Sequence, residues 1–102
     1  MTCEAVLTEA FFLLGHHRPG VEALLRLVES GLVQVGFSLA DEAEPIRRLV
    51  ARYANVPMSL ADACLVRMTE IHSRGRVLTI DSDFLIYRRH GRQAIPLIMP
   101  PR

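Results

Sequence analysis

Two short runs of strand-forming residues, LVQV at 32–35 and VLTI at 77–80, are largely apolar along their whole length. A strand with one face in water alternates apolar and polar residues, whereas a strand that is covered on both faces does not. The segments around these runs carry apolar residues at helical spacing, so helices alternate with strands along the chain. This order predicts an α/β fold with a small, largely parallel sheet.

The bounds of the predicted elements follow from this spacing and from turn-forming residues. Thr2 is a candidate N-cap and Gly15 a stop signal for the first helix, and Pro19 and Gly20 indicate a loop before the second. The predicted helices span residues 2–15, 21–31, 41–56 and 58–75, and the predicted strands span 32–37, 76–80 and 94–100, with an irregular or short helical segment at 82–92.

The composition is that of one folded domain rather than of a membrane protein. Half of the 102 residues are hydrophobic, so we expect a single domain over residues 1–102 with Phe12 and Phe84 in its core. No apolar stretch reaches the ~20 residues that span a bilayer, and no basic segment precedes an apolar run as in a secretory signal. Cys3 and Cys64 follow no disulfide or metal spacing. We therefore expect a cytoplasmic protein with reduced cysteines and no membrane partner.

Charge is distributed unevenly, although the formal net charge is only +1. Residues 1–46 hold two arginines against seven acids, and residues 47–102 hold ten arginines against four acids. The chain has no lysine, so codon usage that favours arginine is one explanation of the basic second half. The other is a surface that contacts phosphate, for which Arg88, Arg89 and Arg92 are the candidates.

Glu9 is the first of three acids whose positions are unusual for solvated side chains. A carboxylate that is buried without a partner lowers the stability of the fold by several kcal/mol or takes up a proton. Alternatively, the helix is partly exposed and Glu9 lies at the edge of its apolar stripe. The neighbours of Glu9 at three and four residues' distance are all apolar, namely Ala5, Val6, Phe12 and Leu13.

Asp62 and Asp81 are the second and third of these unusually placed acids. Asp62 follows Ser59 in the pattern of a helix start, so it is either a first-turn acid alone or also a metal ligand facing the core. Asp81 follows VLTI directly, and Asp83 comes two residues later. Ligands of parallel sheets bind at the carboxyl ends of the strands, which favours a functional role. Alternatively, Asp81 and Ser82 are turn residues, since Asp and Ser favour turns. Converging carboxylates repel one another unless a hard cation holds them, which indicates Mg²⁺ or Mn²⁺.

Three blocks of sequence resemble the PIN domain family, in particular its small VapC-like ribonucleases of toxin–antitoxin pairs. The resemblance implies a three-layer α/β/α fold and metal-dependent cleavage of RNA. It also implies Glu9, Asp62 and Asp81 as the catalytic, metal-binding acids, with Asp83 as an auxiliary carboxylate and Thr79 beside them. The blocks are VLTEAFFLL around Glu9, PMSLADACLV around Asp62 and VLTIDSDFLIYR around Asp81.

The sequence departs from the family at its N-terminus. Family members begin with a hydrophobic strand that ends in the first catalytic aspartate, whereas here Met1 is followed at once by a helix pattern. The resemblance thus implies an N-terminally truncated PIN-like domain without that strand and aspartate. A start codon assigned too far downstream would explain the difference.

The function that the resemblance implies is that of an endoribonuclease toxin that uses Mg²⁺ or Mn²⁺. Its partners would be RNA, a cognate antitoxin protein and a second copy of the chain in a homodimer. The alternative is a non-catalytic PIN-like remnant that acts as a protein-interaction or dimerisation module. We expect little activity from the chain by itself, because the family's first aspartate has no counterpart in it.

Overall fold

A computed structural model of the chain describes residues 1–79 and 81–100. These residues form a mixed α/β fold with four α-helices and a small parallel sheet, as the sequence predicts at that level. The chain divides into two compact units, Met1–Ser38 and Leu39–Arg102. Ile80, the last residue of one predicted strand, lies outside the described residues.

The first unit contains helices α1 (Glu4–Leu14) and α2 (Arg18–Glu29). Thr2 does not cap α1 as predicted: Cys3 occupies the N-cap position, and Thr2 forms a parallel β-bridge with Val35. The main-chain N–H of Thr2 donates to the carbonyl of Gln34 at 2.8 Å. The strand predicted at 32–37 is not formed in the described residues, which contain only this single bridge at Val35.

Helix α2 begins three residues earlier than predicted, since Arg18, Pro19 and Gly20 belong to its first turn. Proline is well suited to this place because the first helical N–H groups have no partner within the helix and its fixed φ is already helical. The loop expected at Pro19 and Gly20 is therefore confined to the residues before Arg18. Gly15, which ends α1, adopts a φ of 55°, a conformation that favours glycine.

The second unit begins with helices α3 (Ala43–Arg52) and α4 (Leu60–Ile71), which lie within the predicted ranges. Helix α3 is amphipathic, because Ile46 and Leu49 are buried while its arginines are exposed. Helix α4 is buried on most of its surface. Its buried residues are Ala61, Ala63, Cys64, Val66, Met68 and Thr69.

Strand β1 (Val77–Leu78) follows α4 and pairs in parallel with strand β4 (Leu97–Ile98), which confirms the predicted parallel sheet. The N–H of Val77 donates to the carbonyl of Pro96 at 2.9 Å, and the N–H of Thr79 to that of Ile98 at 3.1 Å. Both strands are shorter than predicted.

A 3-10 helix and a hairpin connect β1 to β4. The 3-10 helix spans Ser82–Leu85, and the hairpin pairs β2 (Arg88–Arg89) with β3 (Gln93–Ala94) in antiparallel register. The short helix agrees with the prediction for 82–92, whereas the hairpin was not predicted. Its strands have only two residues each, so their apolar periodicity is too short to detect.

Three aromatic rings pack together in the core of the second unit. The ring of Tyr87 lies 5.1 Å from that of Tyr53 and 5.2 Å from that of Phe84, both edge-on. Tyr87 is completely buried, and Phe84 is buried as predicted. Edge-on aromatic pairs add to the stability that the burial of apolar area provides. No described helix is both long and apolar enough to cross a membrane.

Candidate functional site

Asp62 lies in the first turn of α4, where the local sequence predicts it. The Oγ atom of Ser59, the N-cap, accepts a hydrogen bond of 3.1 Å from the N–H of Asp62. This bond satisfies one of the helix-initial N–H groups that have no partner within the helix. The negative charge of Asp62 at this end also suits the helix dipole. The cap therefore accounts for the position of Asp62 along the chain, but not for the contact that its side chain makes.

The carboxylate of Asp62 contacts the buried hydroxyl of Tyr87. That hydroxyl donates a hydrogen bond of 3.0 Å to Oδ2 of Asp62, across 25 residues of sequence. Burial raises the pKa of Tyr87 above its ordinary value, and the hydrogen bond to Asp62 raises it further. Both effects keep the phenol protonated, so Tyr87 acts as a permanent donor to Asp62.

Asp81 is the N-cap of the 3-10 helix, and Asp83 lies in the first turn of that helix. Oδ1 of Asp81 accepts from the N–H of Asp83 at 2.9 Å, and Oγ1 of Thr79 accepts from the N–H of Asp81 at 2.9 Å. These bonds are the turn chemistry that was one alternative for this segment. Asp81 is exposed and Asp83 is half-buried.

The three aspartates of the second unit act together on Tyr87. After burial and the Asp62 hydrogen bond, the charges of Asp62, Asp83 and Asp81 each raise the pKa of the phenol. Hydrogen bonds link the same segments, because the hydroxyl of Tyr87 donates to Asp62 and its main-chain N–H donates to the carbonyl of Asp83 at 3.2 Å. Tyr87 thus connects the N-terminus of α4 with the segment that follows β1. We call Asp62, Asp81, Asp83 and Tyr87 the acid site.

Glu9 belongs to the other unit, so its predicted convergence with Asp62 and Asp81 stays a prediction. It is exposed on α1, a helix without buried residues. Phe12, which we expected in the core, has 84 % of its surface exposed, and Leu13 has 82 %. Of the two alternatives for Glu9, a buried carboxylate or a residue on a partly exposed helix, the structure agrees with the second.

Metal binding by the acid site is supported by donor chemistry alone. Carboxylate oxygens are the ligands that Mg²⁺ and Mn²⁺ prefer, and each of Asp62 and Asp81 has one oxygen without a hydrogen bond among the described residues. Over residues 1–79 and 81–100, no group of three or more His, Cys, Asp or Glu side chains is close enough to hold a metal ion. The predicted Mg²⁺ or Mn²⁺ therefore stays a prediction.

Two of the arginines predicted to contact phosphate serve the fold instead. A terminal nitrogen of Arg88 donates to the carbonyls of Leu85 and Tyr87 at 2.7 and 2.9 Å. Likewise, a nitrogen of Arg89 donates at 3.2 Å to each of the carbonyls of Thr69 and Ser73, at the end of α4. Helix-terminal carbonyls lack partners within the helix, so a cation is favourable there. Arg92 is exposed.

Sequence reasoning missed Tyr87, the residue on which this site is centred. The tyrosine was not assigned a role because an isolated Tyr shows no function by its type. A usable signal was its spacing: Phe84 and Tyr87 are three residues apart, and side chains at that spacing share one side of a 3-10 turn. Since Phe84 was expected in the core, Tyr87 could have been placed there with it.

Comparison of the chain with protein-family models, with curated proteins and with solved structures found no match in any of the three. The resemblance to the PIN family is therefore carried by the three sequence blocks alone.

Proposed function

We propose that the chain is a PIN-type, metal-dependent ribonuclease of the VapC-like toxin class, acting in the cytoplasm. The observations that support this proposal are the hydrogen bond from Tyr87 to Asp62 and the position of Asp81 after the carboxyl end of the parallel strand β1. Ligands of open parallel sheets bind at that end of the strands. Mg²⁺ is usually bound through one or two carboxylates and keeps several of its waters, and Asp62 and Asp81 are the candidates here.

In the proposed site, Asp62 and Asp81 would hold Mg²⁺ or Mn²⁺, and Asp83 would assist; Glu9 is the third acid that the resemblance implies. A divalent ion bound there supplies a water of lowered pKa and stabilises the leaving oxygen of a phosphodiester. The chain's own contribution is to orient the carboxylates. Tyr87 fixes Oδ2 of Asp62, and the N–H of Asp83 fixes Oδ1 of Asp81.

RNA is the proposed substrate, and the exposed arginines of the second unit are its proposed contacts. Arg74, Arg76 and Arg92 are exposed, whereas Arg88 and Arg89 are occupied by main-chain carbonyls. Arg76 directly precedes β1, and Asp81 follows the same strand further along the chain.

The test is metal binding by the wild-type chain and by Asp62→Asn. Isothermal titration with MnCl₂ is expected to give a saturable signal that Asp62→Asn weakens by at least tenfold. Any cleavage of single-stranded RNA in the presence of Mn²⁺ is expected to be lost in Asp62→Asn. The matched control is Asp41→Asn, which removes an exposed acid outside the acid site. Equal Mn²⁺ binding by all three proteins would contradict the proposal.

The second candidate is a non-catalytic PIN-like module for dimerisation or antitoxin binding. The exposure of Phe12 and Leu13 on α1 favours it, since large apolar groups side by side on a surface often mark a protein contact. Sedimentation velocity of the wild-type chain and of Phe12→Ser distinguishes the candidates. A dimer that Phe12→Ser dissociates, together with absent Mn²⁺ binding, supports the module.

A further inference from the structure

A polar groove of about 460 Å³ lies in the second unit, where α3, α4 and the turn of the β2–β3 hairpin meet. We call it the α3–hairpin groove. Its floor includes the buried side chain of Leu49. The charged and polar side chains that line it are those of Glu44, Arg48, Arg52, Arg67, Glu70 and His90, and Gly91 contributes main chain.

The hairpin turn that forms one wall is strained and held in place. The N–H of Arg92 donates to the carbonyl of Arg89 at 3.3 Å, which closes a turn with His90 and Gly91 at its centre. Their φ values of 51° and 81° are both left-handed, as in a type I′ turn. A histidine in that region persists only where its surroundings impose it. Here the N–H of His90 donates to Oε2 of Glu70 at 2.6 Å.

Arg67 and Glu70 also line the groove, and they are already paired with each other. Arg67 contacts Oε2 of Glu42 through its Nε at 2.8 Å, and Oε1 of Glu70 through a terminal nitrogen at 3.2 Å. Because His90 binds the other oxygen of Glu70, that carboxylate has no free oxygen directed at a ligand. Arg67 is equally committed, since both of its acid partners are largely buried with it.

The donors that remain available belong to Arg52 and Arg48. Arg52 donates to the carbonyl of Gly91, and the centre of its guanidinium lies 5.4 Å from the centre of the Tyr53 ring. These contacts orient a group that has five N–H donors in all. Within residues 1–79 and 81–100, the ion-pair partner of Arg48 is Glu44, and 73 % and 63 % of the two side chains are exposed. An exposed pair of this kind contributes little and is readily exchanged for another anion.

We propose that the α3–hairpin groove binds a phosphate group between Arg48 and Arg52. The two arginines are four residues apart on α3, so their side chains lie on one face of the helix and can chelate one phosphate. Arg52 is already oriented by Gly91 and Tyr53, which reduces the entropy lost on binding. This site is distinct from the acid site, because Glu70 lies eight residues, or about 12 Å, along α4 from Asp62.

Directed donors rather than net charge would hold the phosphate. Three arginines and three glutamates belong to the groove and its network, and their charges balance. Binding of one phosphate should therefore be weak, and it should weaken further with salt. The phosphate could belong to the RNA backbone or to a free nucleotide, and the test includes both.

The experiment is an NMR titration of the ¹⁵N-labelled chain without metal, using inorganic phosphate, adenosine 5′-monophosphate and an eight-nucleotide single-stranded RNA. Saturable shifts of the His90 and Gly91 amides are expected with phosphate. Arg48→Gln should weaken this binding by about tenfold. The matched control, Arg47→Gln, removes the neighbouring exposed arginine of α3, which does not line the groove, and should bind as the wild type does.

The nucleotide and RNA titrations distinguish the possible sources of the phosphate, and the Asp62→Asn variant separates this proposal from the proposed metal site. RNA that binds more tightly than the mononucleotide at this site identifies a polynucleotide backbone as the source, and the reverse order identifies a free nucleotide. Asp62→Asn should leave the titration unchanged, so failure of the metal site would not alter this result. Equal affinity of Arg47→Gln and Arg48→Gln, or the absence of saturable shifts at Gly91, would overturn the proposal.

Discussion

The hydroxyl of Tyr87 donates a hydrogen bond of 3.0 Å to Oδ2 of Asp62, from a ring that is completely buried to a carboxylate at the start of α4. The bond ties the segment after the 3-10 helix to a helix 25 residues earlier. It fixes one oxygen of Asp62 and leaves the other without a hydrogen bond among the described residues. The geometry of the acid site therefore depends on a residue that is not itself an acid.

Replacing Tyr87 by Phe should lower the free energy of unfolding by about 1.5 kcal/mol, since a hydrogen bond to a charged group is lost while the ring stays packed. Urea denaturation followed by circular dichroism measures the change. If Asp62 binds metal, Mn²⁺ affinity should fall as well, because the carboxylate loses its orientation. Tyr53→Phe is the control, because the Tyr53 hydroxyl accepts a hydrogen bond of 2.8 Å from the N–H of Arg88 and, in the described part of the chain, is hydrogen-bonded to no acid. A Tyr53→Phe protein with the same loss of Mn²⁺ affinity would argue against orientation by Tyr87.

Alkaline pH should destabilise the protein through Tyr87. Its pKa in the folded state is raised above the ordinary value near 10 by burial, then by the Asp62 hydrogen bond and the nearby aspartates. Above pH ~10 the unfolded chain loses the phenolic proton while the folded chain keeps it. The contribution of Tyr87 is thus fully present below pH ~10, and it is lost as the pH rises from there towards the folded-state pKa. Unfolding curves between pH 8 and pH 11 should show a smaller decline in Tyr87→Phe than in the wild type.

Removing the N-cap of α4 should destabilise the second unit. Ser59→Ala deletes the acceptor of the Asp62 N–H and is expected to cost about 1 kcal/mol, whereas Ser59→Asn keeps an acceptor and should cost far less. Thermal unfolding by calorimetry compares the two. Equal melting temperatures for the Ala and Asn variants would show that the cap contributes nothing measurable.

Substituting alanine at Gly91 should be more harmful than at Gly31. The two glycines have nearly the same φ, 81° and 82°, so both alanines are strained by roughly 1–2 kcal/mol. A Cβ at Gly91 would also lie 3.3 Å from a terminal nitrogen of Arg52, whereas nothing lies within 4 Å of one at Gly31. Chemical denaturation of both variants, with the Gly91 variant unfolding at the lower denaturant concentration, is the expected result.

Helix positions were predictable because their signals are local. Ser59 and Asp62 form a capping pattern within four residues, and the apolar stripe of α3 repeats every three to four residues. Short strands carry no such signal. The strands of the hairpin at 88–94 have two residues each, too few to show periodicity, and the single bridge at Val35 depends on Thr2, 33 residues earlier.

The sequence by itself determined the four helices, the parallel strands near 77 and 97, and the presence of aspartates at a helix start and a strand end. Only the tertiary structure decided what those aspartates contact. Tyr87 reaches Asp62 because the 3-10 helix turns the chain back into the core. Arg89 binds carbonyls at the end of α4 because the hairpin packs near that end. Capping and periodicity act within a few residues, whereas a side chain's partner across 25 residues depends on how the elements pack.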